Sequence, residues 1–237
     1  MPKTGAWLLA LCGALAAGAQ PAGPSSSTNS PVRMVEPGIY QIGLVRLDQR
    51  RRRVTLPATL NKTNGLMEYF LVTTCGKTHE SILKTAAEPF HLHLAMLLLG
   101  ARGPGSADFP GSPSNGIPGP VIHPSAETIP GDKASIEVSW KTPEGETRRP
   151  AEDLIYKNDA STNMARGWWI YNGSLIVNNK FLAQMDGSII SLVTDPVALV
   201  NYTGPGHDND LIWEPLPAHL PPPGAPVEVA ITFPAPR

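Results

Sequence analysis

From Ile39 onward the alternation of apolar and polar positions predicts strands. "IYQIGLVRLD" and "RRVTLPATLN" are extended segments joined at an arginine-rich turn, Arg50–Arg53. Gly65 opens a third strand, "LMEYFLVTT", apolar on both faces over Phe70–Val72 and therefore central. "CGK" is expected to turn this strand into a hairpin with "THESILKT". Strand alternation then puts His79, Ser81 and Leu83 on one face and Glu80, Ile82 and Lys84 on the other. The period changes at Pro89, which suits a first helical turn. Gly100 suits the end of that helix, and "PFHLHLAMLLL" between them is apolar nearly all round. A buried helix over 89–99 is expected.

Residues 101–131 carry no period and read as a long Gly/Pro-rich loop. Beyond it, "ASIEVSWKT", "GWWIYNGSLIV" and "VEVAITF" read as strands, and "RRPAEDLIY" begins with a short helix at Pro150. Asp186-Gly187 between "FLAQM" and "SIISLVT" reads as a two-residue hairpin turn. The sum is an α+β protein with a mostly antiparallel sheet of about eight or nine strands. Residues 39–237 form one expected domain, preceded by a disordered tether over 20–38, "QPAGPSSSTNSPVRMVEPG".

The first nineteen residues differ from all of this. Lys3 precedes the uncharged apolar run "WLLALCGALAA", and "AGA" at 17–19 is a small-x-small cleavage site, so residues 1–19 read as a signal peptide with Gln20 as the mature start. Eleven apolar residues are too few for a transmembrane helix, which needs roughly 20. An exported protein, periplasmic or extracellular, is expected. Cys12 offers the alternative of a lipid anchor, but Leu11 stands where a small residue is required.

Composition narrows the function classes. With 19 Lys+Arg against 20 Asp+Glu the chain has no field to attract nucleic acid. Of its two cysteines one lies in the signal, leaving Cys75 alone. A single thiol makes no intramolecular disulfide, and it argues against an iron–sulfur cluster or a cysteine zinc site. No cofactor and no metal site is read from the sequence.

The segments "EYFLVTTCGKTHESIL", "PFHLHLAMLLLG", "WWIYNGSLI" with "FLAQMDGSIISLVTDPVAL", and "LPPPGAPVEVAI" together resemble the YdjY-domain family of exported bacterial proteins. The resemblance implies export and a shared fold, and carries no activity with it. Iron–sulfur chemistry, which a ferredoxin-like relative would imply, lacks its ligands here.

Chemistry-bearing side chains concentrate at 79–93. His79, Glu80, Ser81 and His93 form the candidate polar cluster, expected where the "THES" strand meets the following helix. His91 and His93 diverge by roughly 200° on a helix, so one is expected in the core and one at its edge. Cys75 beside Lys77, the "HDND" turn at 207–210, and Trp168-Trp169 have simpler readings: a turn thiol, a polar turn, and a core–edge tryptophan pair. The expected function is a non-catalytic extracytoplasmic domain that binds a protein or envelope ligand. The alternative is a metal-dependent or Ser/His hydrolase centred on the "THES" strand, and no motif decides whether the chain is an enzyme.

Overall fold

The computed structural model describes residues 32–104 and 129–235. The first half holds β1 (Val32–Glu36), β2 (Ile39–Ile42), β3 (Val45–Asp48), β4 (Arg53–Leu60), β5 (Tyr69–Thr73), β6 (Ser81–Thr85) and α1 (Pro89–Leu98). The second half starts with β7 (Asp132–Thr142), β8 (Gly145–Pro150), β9 (Ile155–Lys157), β10 (Thr162–Asn163) and β11 (Trp169–Tyr171). It continues with β12 (Ile176–Val177), β13 (Lys180–Phe181), α2 (Leu182–Asp186), β14 (Ser188–Ser191), β15 (Val200–Tyr202), β16 (Trp213–Pro215) and β17 (Pro226–Thr232).

The alternation read in "RVTLPATL" is realised in β4, which buries Val54, Leu56, Ala58 and Leu60. One edge of β4 pairs with β17 along Arg53–Thr59. Its other edge is shared: Arg53–Thr55 pair with β3, and Thr59–Leu60 pair with β6. Pro57 stands in the gap between the two partners. The N–H and C=O of one strand residue point to the same edge, so the amide that proline lacks would have faced this gap. Its carbonyl does face it, and accepts the Thr85 hydroxyl at 2.6 Å.

The β4–β6 pairing closes the sheet. The order β4-β17-β7-β11-β15-β14-β5-β6 returns to β4 as an eight-stranded barrel, with β1-β2-β3 continuing from β4 and β8 attached to β7. Closure removes the free edges an open sheet would leave. All ring pairings are antiparallel except β5–β6 and β14–β15. Leu56, Phe70, Leu71, Ile82, Val138, Trp169, Tyr202 and Trp213 belong to one buried apolar cluster.

The strand-rich α+β class and the mostly antiparallel sheet are as the pattern predicted. Several local expectations are corrected. The described residues form seventeen strands rather than eight or nine, because two- and three-residue pairs escape an alternation test. β1 begins at Val32, inside the expected tether, and pairs with β2; residues 20–31 lie outside the described residues. Of the expected loop over 101–131, residues 105–128 also lie outside them, while its ends meet where the Asp132 amide donates to the Arg102 carbonyl.

"CGK" does not make a hairpin. Tyr69 pairs with Ser81 in parallel, and Thr78–Glu80 form a 3-10 turn on the way back. Asp186-Gly187 is likewise no hairpin turn, because Gly187, at φ 79°, ends α2. A helix C-terminus and a tight hairpin both require positive φ, so the glycine alone could not distinguish them.

Helix α1 starts at Pro89 and stops before Gly100, as expected, but only one side of it is buried. Leu92, Ala95 and Met96 face the core, while Phe90, Leu97 and Leu98 are 48%, 43% and 44% exposed. The Arg50–Arg53 cluster is split up: Arg51 pairs with Asp48, Arg52 donates to the Leu99 and Pro234 carbonyls, and Arg53 pairs with Glu137.

Thr85 locks the closure, since its hydroxyl also accepts the Ala87 amide at 3.0 Å and the residue is 2% exposed. Thr85→Val keeps the shape but strands the Pro57 carbonyl and the Ala87 amide. It should lower stability by about 2–4 kcal/mol in denaturant unfolding, whereas Thr85→Ser should cost about 1 kcal/mol or less.

Candidate functional site

The two parallel strand pairs each need a connection that carries the chain back to the starting end of the barrel, and such connections usually take a dozen or more residues. Here the β5–β6 connection is residues 74–80 and the β14–β15 connection is residues 192–199. Both are short, and both are fastened at the same place.

The turn after β5 lies directly on the turn before β14. Thr73 donates its amide to the Gly187 carbonyl at 2.8 Å. A Cβ on Gly187, which has φ 79°, would sit 2.9 Å from the Gly76 Cα, so contact this close requires glycine at 187, while a Cβ at Gly76 would be tight at 3.1 Å from the Gly187 carbonyl oxygen. Lys77 follows Gly76 and reaches back over the strand. Its ammonium donates to the Tyr69 hydroxyl at 2.6 Å and pairs with Asp186 at 3.2 Å. The Tyr69 hydroxyl in turn donates to Asp195 at 2.9 Å.

Each carboxylate is held from behind. Ser188 donates to Asp186, and the Val197 amide donates to Asp195 at 2.9 Å. Asn201 accepts the Asp195 amide at 2.7 Å and donates to Asn172 Oδ1 at 2.9 Å. Asn172 donates to the carbonyls of Pro196 and Ala198. Asn172 and Asn201 are thus buried structural asparagines, and Asn61 holds the carbonyls of Thr78 and Ser81.

A domain model described as YdjY domain matches residues 45–232. The chain belongs to the YdjY domain family. No curated protein and no solved structure matches it. The matched span contains the whole barrel, and two of the segments that carried the resemblance meet at this clasp: "EYFLVTTCGKTHESIL" supplies Tyr69 and Lys77, and "FLAQMDGSIISLVTDPVAL" supplies Asp186, Ser188 and Asp195.

Electrostatics fix the protonation of the clasp. Burial pushes the Tyr69 phenol up to about 12, with the Asp195 charge adding to it against the Lys77 hydrogen bond. Burial alone would lower Lys77, but the Tyr69 hydrogen bond and the Asp186 and Asp195 charges outweigh it and hold the ammonium above its ordinary value. Through the neutral range the YdjY clasp therefore keeps a protonated phenol and a charged amine, a fixed donor set rather than an acid–base pair. Just before β5, Glu68 is raised by burial and by the nearby Glu80 and Asp210 charges.

The four residues singled out at 79–93 do not assemble. His79 and Glu80 do meet, with Nε2 and Oε2 3.5 Å apart, because both lie in the 3-10 turn and strand alternation begins only at Ser81. Ser81 is 0% exposed and donates to the Leu83 carbonyl of its own strand at 2.8 Å. His93 sits elsewhere, 2.8 Å from the Tyr171 hydroxyl and against the Phe181 ring. No hydrogen bond, ion pair or ring contact joins it to the other three, since α1 packs on β2, β3, β4 and α2.

His91 takes the opposite side of α1, over Gly43 and 4.0 Å from Glu88, giving the core–edge division read from the helix period. Trp169 is buried and Trp168 is 46% exposed, also as read. Cys75 is exposed at its turn, and His207 bonds the Thr194 hydroxyl at 2.7 Å. Among the described residues, no three His, Cys, Asp or Glu side chains are placed to hold a metal ion. Tyr69, Lys77, Asp186 and Asp195 were missed because each looked like a lone polar residue in an apolar run or a turn.

Burial pushes the His93 imidazole down to about 4 from an ordinary 6.5. The unfolded chain therefore takes up this proton first, and stability present above pH 6.5 is lost as pH falls toward 4. The loss should reach up to about 3 kcal/mol. Denaturant midpoints across this window should fall less steeply in His93→Gln; an unchanged slope would mean that the imidazole is not buried neutral.

Proposed function

We propose that this YdjY domain is an exported, non-catalytic binding module associated with the cell envelope. The observation that carries the reading is that its polar groups are engaged with one another. Ser81, the nucleophile of the hydrolase reading, is buried and donates within its own strand. His93 is occupied by Tyr171, and Tyr69 and Lys77 hold their protons through the neutral range. Lys77 and Asp186 keep 36% and 37% of their side chains exposed, so the clasp presents a fixed cation and a fixed anion at the surface. Rigidly held charges suit recognition, because the ligand orders no protein groups on binding.

Export is supported by the charged, apolar and small-residue succession at the N-terminus. No helix of the described residues is long and apolar enough to cross a membrane. A partner in the envelope, whether protein or wall component, follows from the expected compartment.

Expression of the full chain in a bacterial host tests the reading. Intact mass of the exported form should start at Gln20, and that form should bind isolated envelope fragments saturably without changing them. A mass starting at Cys12 with acyl chains would make it a lipid-anchored domain, and retention of the uncleaved precursor in the cytoplasm would overturn export. Release of soluble fragments that disappears in Ser81→Ala would favour the hydrolase.

A further inference from the structure

The barrel contains two strands with one edge divided between partners. β4 passes from β3 to β6, and β7 passes from β11, at Asp132–Ala134, to β8, at Glu137–Thr142. A cleft lies at each handover. At β7 the charged groups answer one another. Arg53 pairs with Glu137, and Arg166 pairs with Asp153 and also interacts with Glu152, which accepts the Gly167 amide. The cleft at β4 has no such balance.

Its floor includes Pro57 and Ala58, where β4 has left β3 and not yet met β6. Leu44 contributes from the turn between β2 and β3, Thr74 from just after β5, and Lys84 from the end of β6. Thr59 and Lys84 are direct partners in the β4–β6 pairing, so their side chains leave the same face with Cβ atoms about 5 Å apart. Among the described residues, the half-buried Lys84 ammonium and the Thr59 and Thr74 hydroxyls take part in no hydrogen bond or ion pair within the chain. Thr85, the remaining hydroxyl of the cleft, is used twice, on the Pro57 carbonyl and on the Ala87 amide. No carboxylate lines the cleft. One cation and two hydroxyls therefore border a cleft that supplies them with no acceptor, beside an apolar side formed by Leu44, which is 48% exposed, and Pro57.

We propose that this cleft binds the carboxylate end of an organic acid: the carboxylate pairs with Lys84 and accepts from Thr59 and Thr74, while the first carbons of its stem lie against Leu44 and Pro57. A single ammonium balances a single negative charge, so a carboxylate suits the cleft better than a phosphate dianion. The lone pairs of a carboxylate are enough to take all three donors. The cleft measures about 190 Å³, the room of roughly six waters, below the roughly 300 Å³ or more that encloses a whole ligand. It therefore holds an end group. Two sources present that chemistry, a free aliphatic acid or the C-terminus of a peptide. The site does not depend on the envelope reading.

The test follows the Thr74 amide, which donates to the Thr85 carbonyl at 2.9 Å, by nitrogen-15 correlation spectroscopy in the purified protein at fixed ionic strength. Titration with sodium pentanoate should shift it saturably, and n-pentanol, the same length without the charge, should bind about fivefold or more weakly. Lys84→Met keeps an apolar stem, breaks no side-chain bond within the chain, and should weaken pentanoate to the same extent. Tighter binding of N-acetyl-alanine than of pentanoate would identify a peptide C-terminus as the source, and the reverse order a free acid. Equal binding of pentanoate and pentanol, tighter binding of inorganic phosphate than of pentanoate, unchanged affinity in Lys84→Met, or no saturable shift overturns the proposal. Should Lys84→Met fail to fold, the acid–alcohol comparison in the unaltered protein decides.

Discussion

One hydroxyl group ties together the two least economical connections in this fold. Tyr69 accepts from Lys77, which belongs to the return path from β5 to β6, and donates to Asp195, which belongs to the return path from β14 to β15. Each path takes its chain back along the barrel in fewer residues than a parallel pair normally uses. A connection that short has no length to bury a face of its own, so side-chain bonds must hold it. The bare approach of Gly76 to Gly187 brings the turns close enough for Lys77 to reach both Tyr69 and Asp186. Removing the closeness would disperse the charges, and removing the charges would leave the turns held by little more than the Thr73–Gly187 hydrogen bond.

The same economy explains where the surface is open. A barrel closes when its first and last strands find each other, and here β4 accepts its last partner along only part of one edge. Proline stands at the handover because no amide is wanted there, and Thr85 completes the seal. At the corresponding handover in β7 the buried Glu152 accepts the Gly167 amide instead, with Arg166 in the same wall. One handover is bridged by a hydroxyl on a backbone carbonyl, and the other by a backbone amide on a carboxylate.

Much of this was legible in the sequence. The alternation in β4, β7 and β17, the boundaries of α1 at Pro89 and Gly100, and the divergence of His91 from His93 all follow from period and punctuation. Barrel closure was not legible, since β4–β6 contact involves two residue pairs and no local signal marks it. Parallel pairing of β5 with β6 was hidden because a glycine turn of this length reads as a hairpin. The exposed side of α1 was hidden too, since Phe90, Leu97 and Leu98 are as apolar as the buried positions. The clasp was the main omission. Histidine and serine are the usual carriers of chemistry, whereas the clasp uses a tyrosine, a lysine and two aspartates spread across more than a hundred residues. Their sequence trace is polar residues at or near glycine turns within the span that the family model matches.

The claim that one hydroxyl holds both connections is tested most directly by amide hydrogen exchange on Tyr69→Phe. Removing the hydroxyl should lower protection by about tenfold or more at Gly76 and Thr78 in one connection and at Val197 and Ala198 in the other, together. Loss in only one connection, or unchanged protection in both, would contradict it.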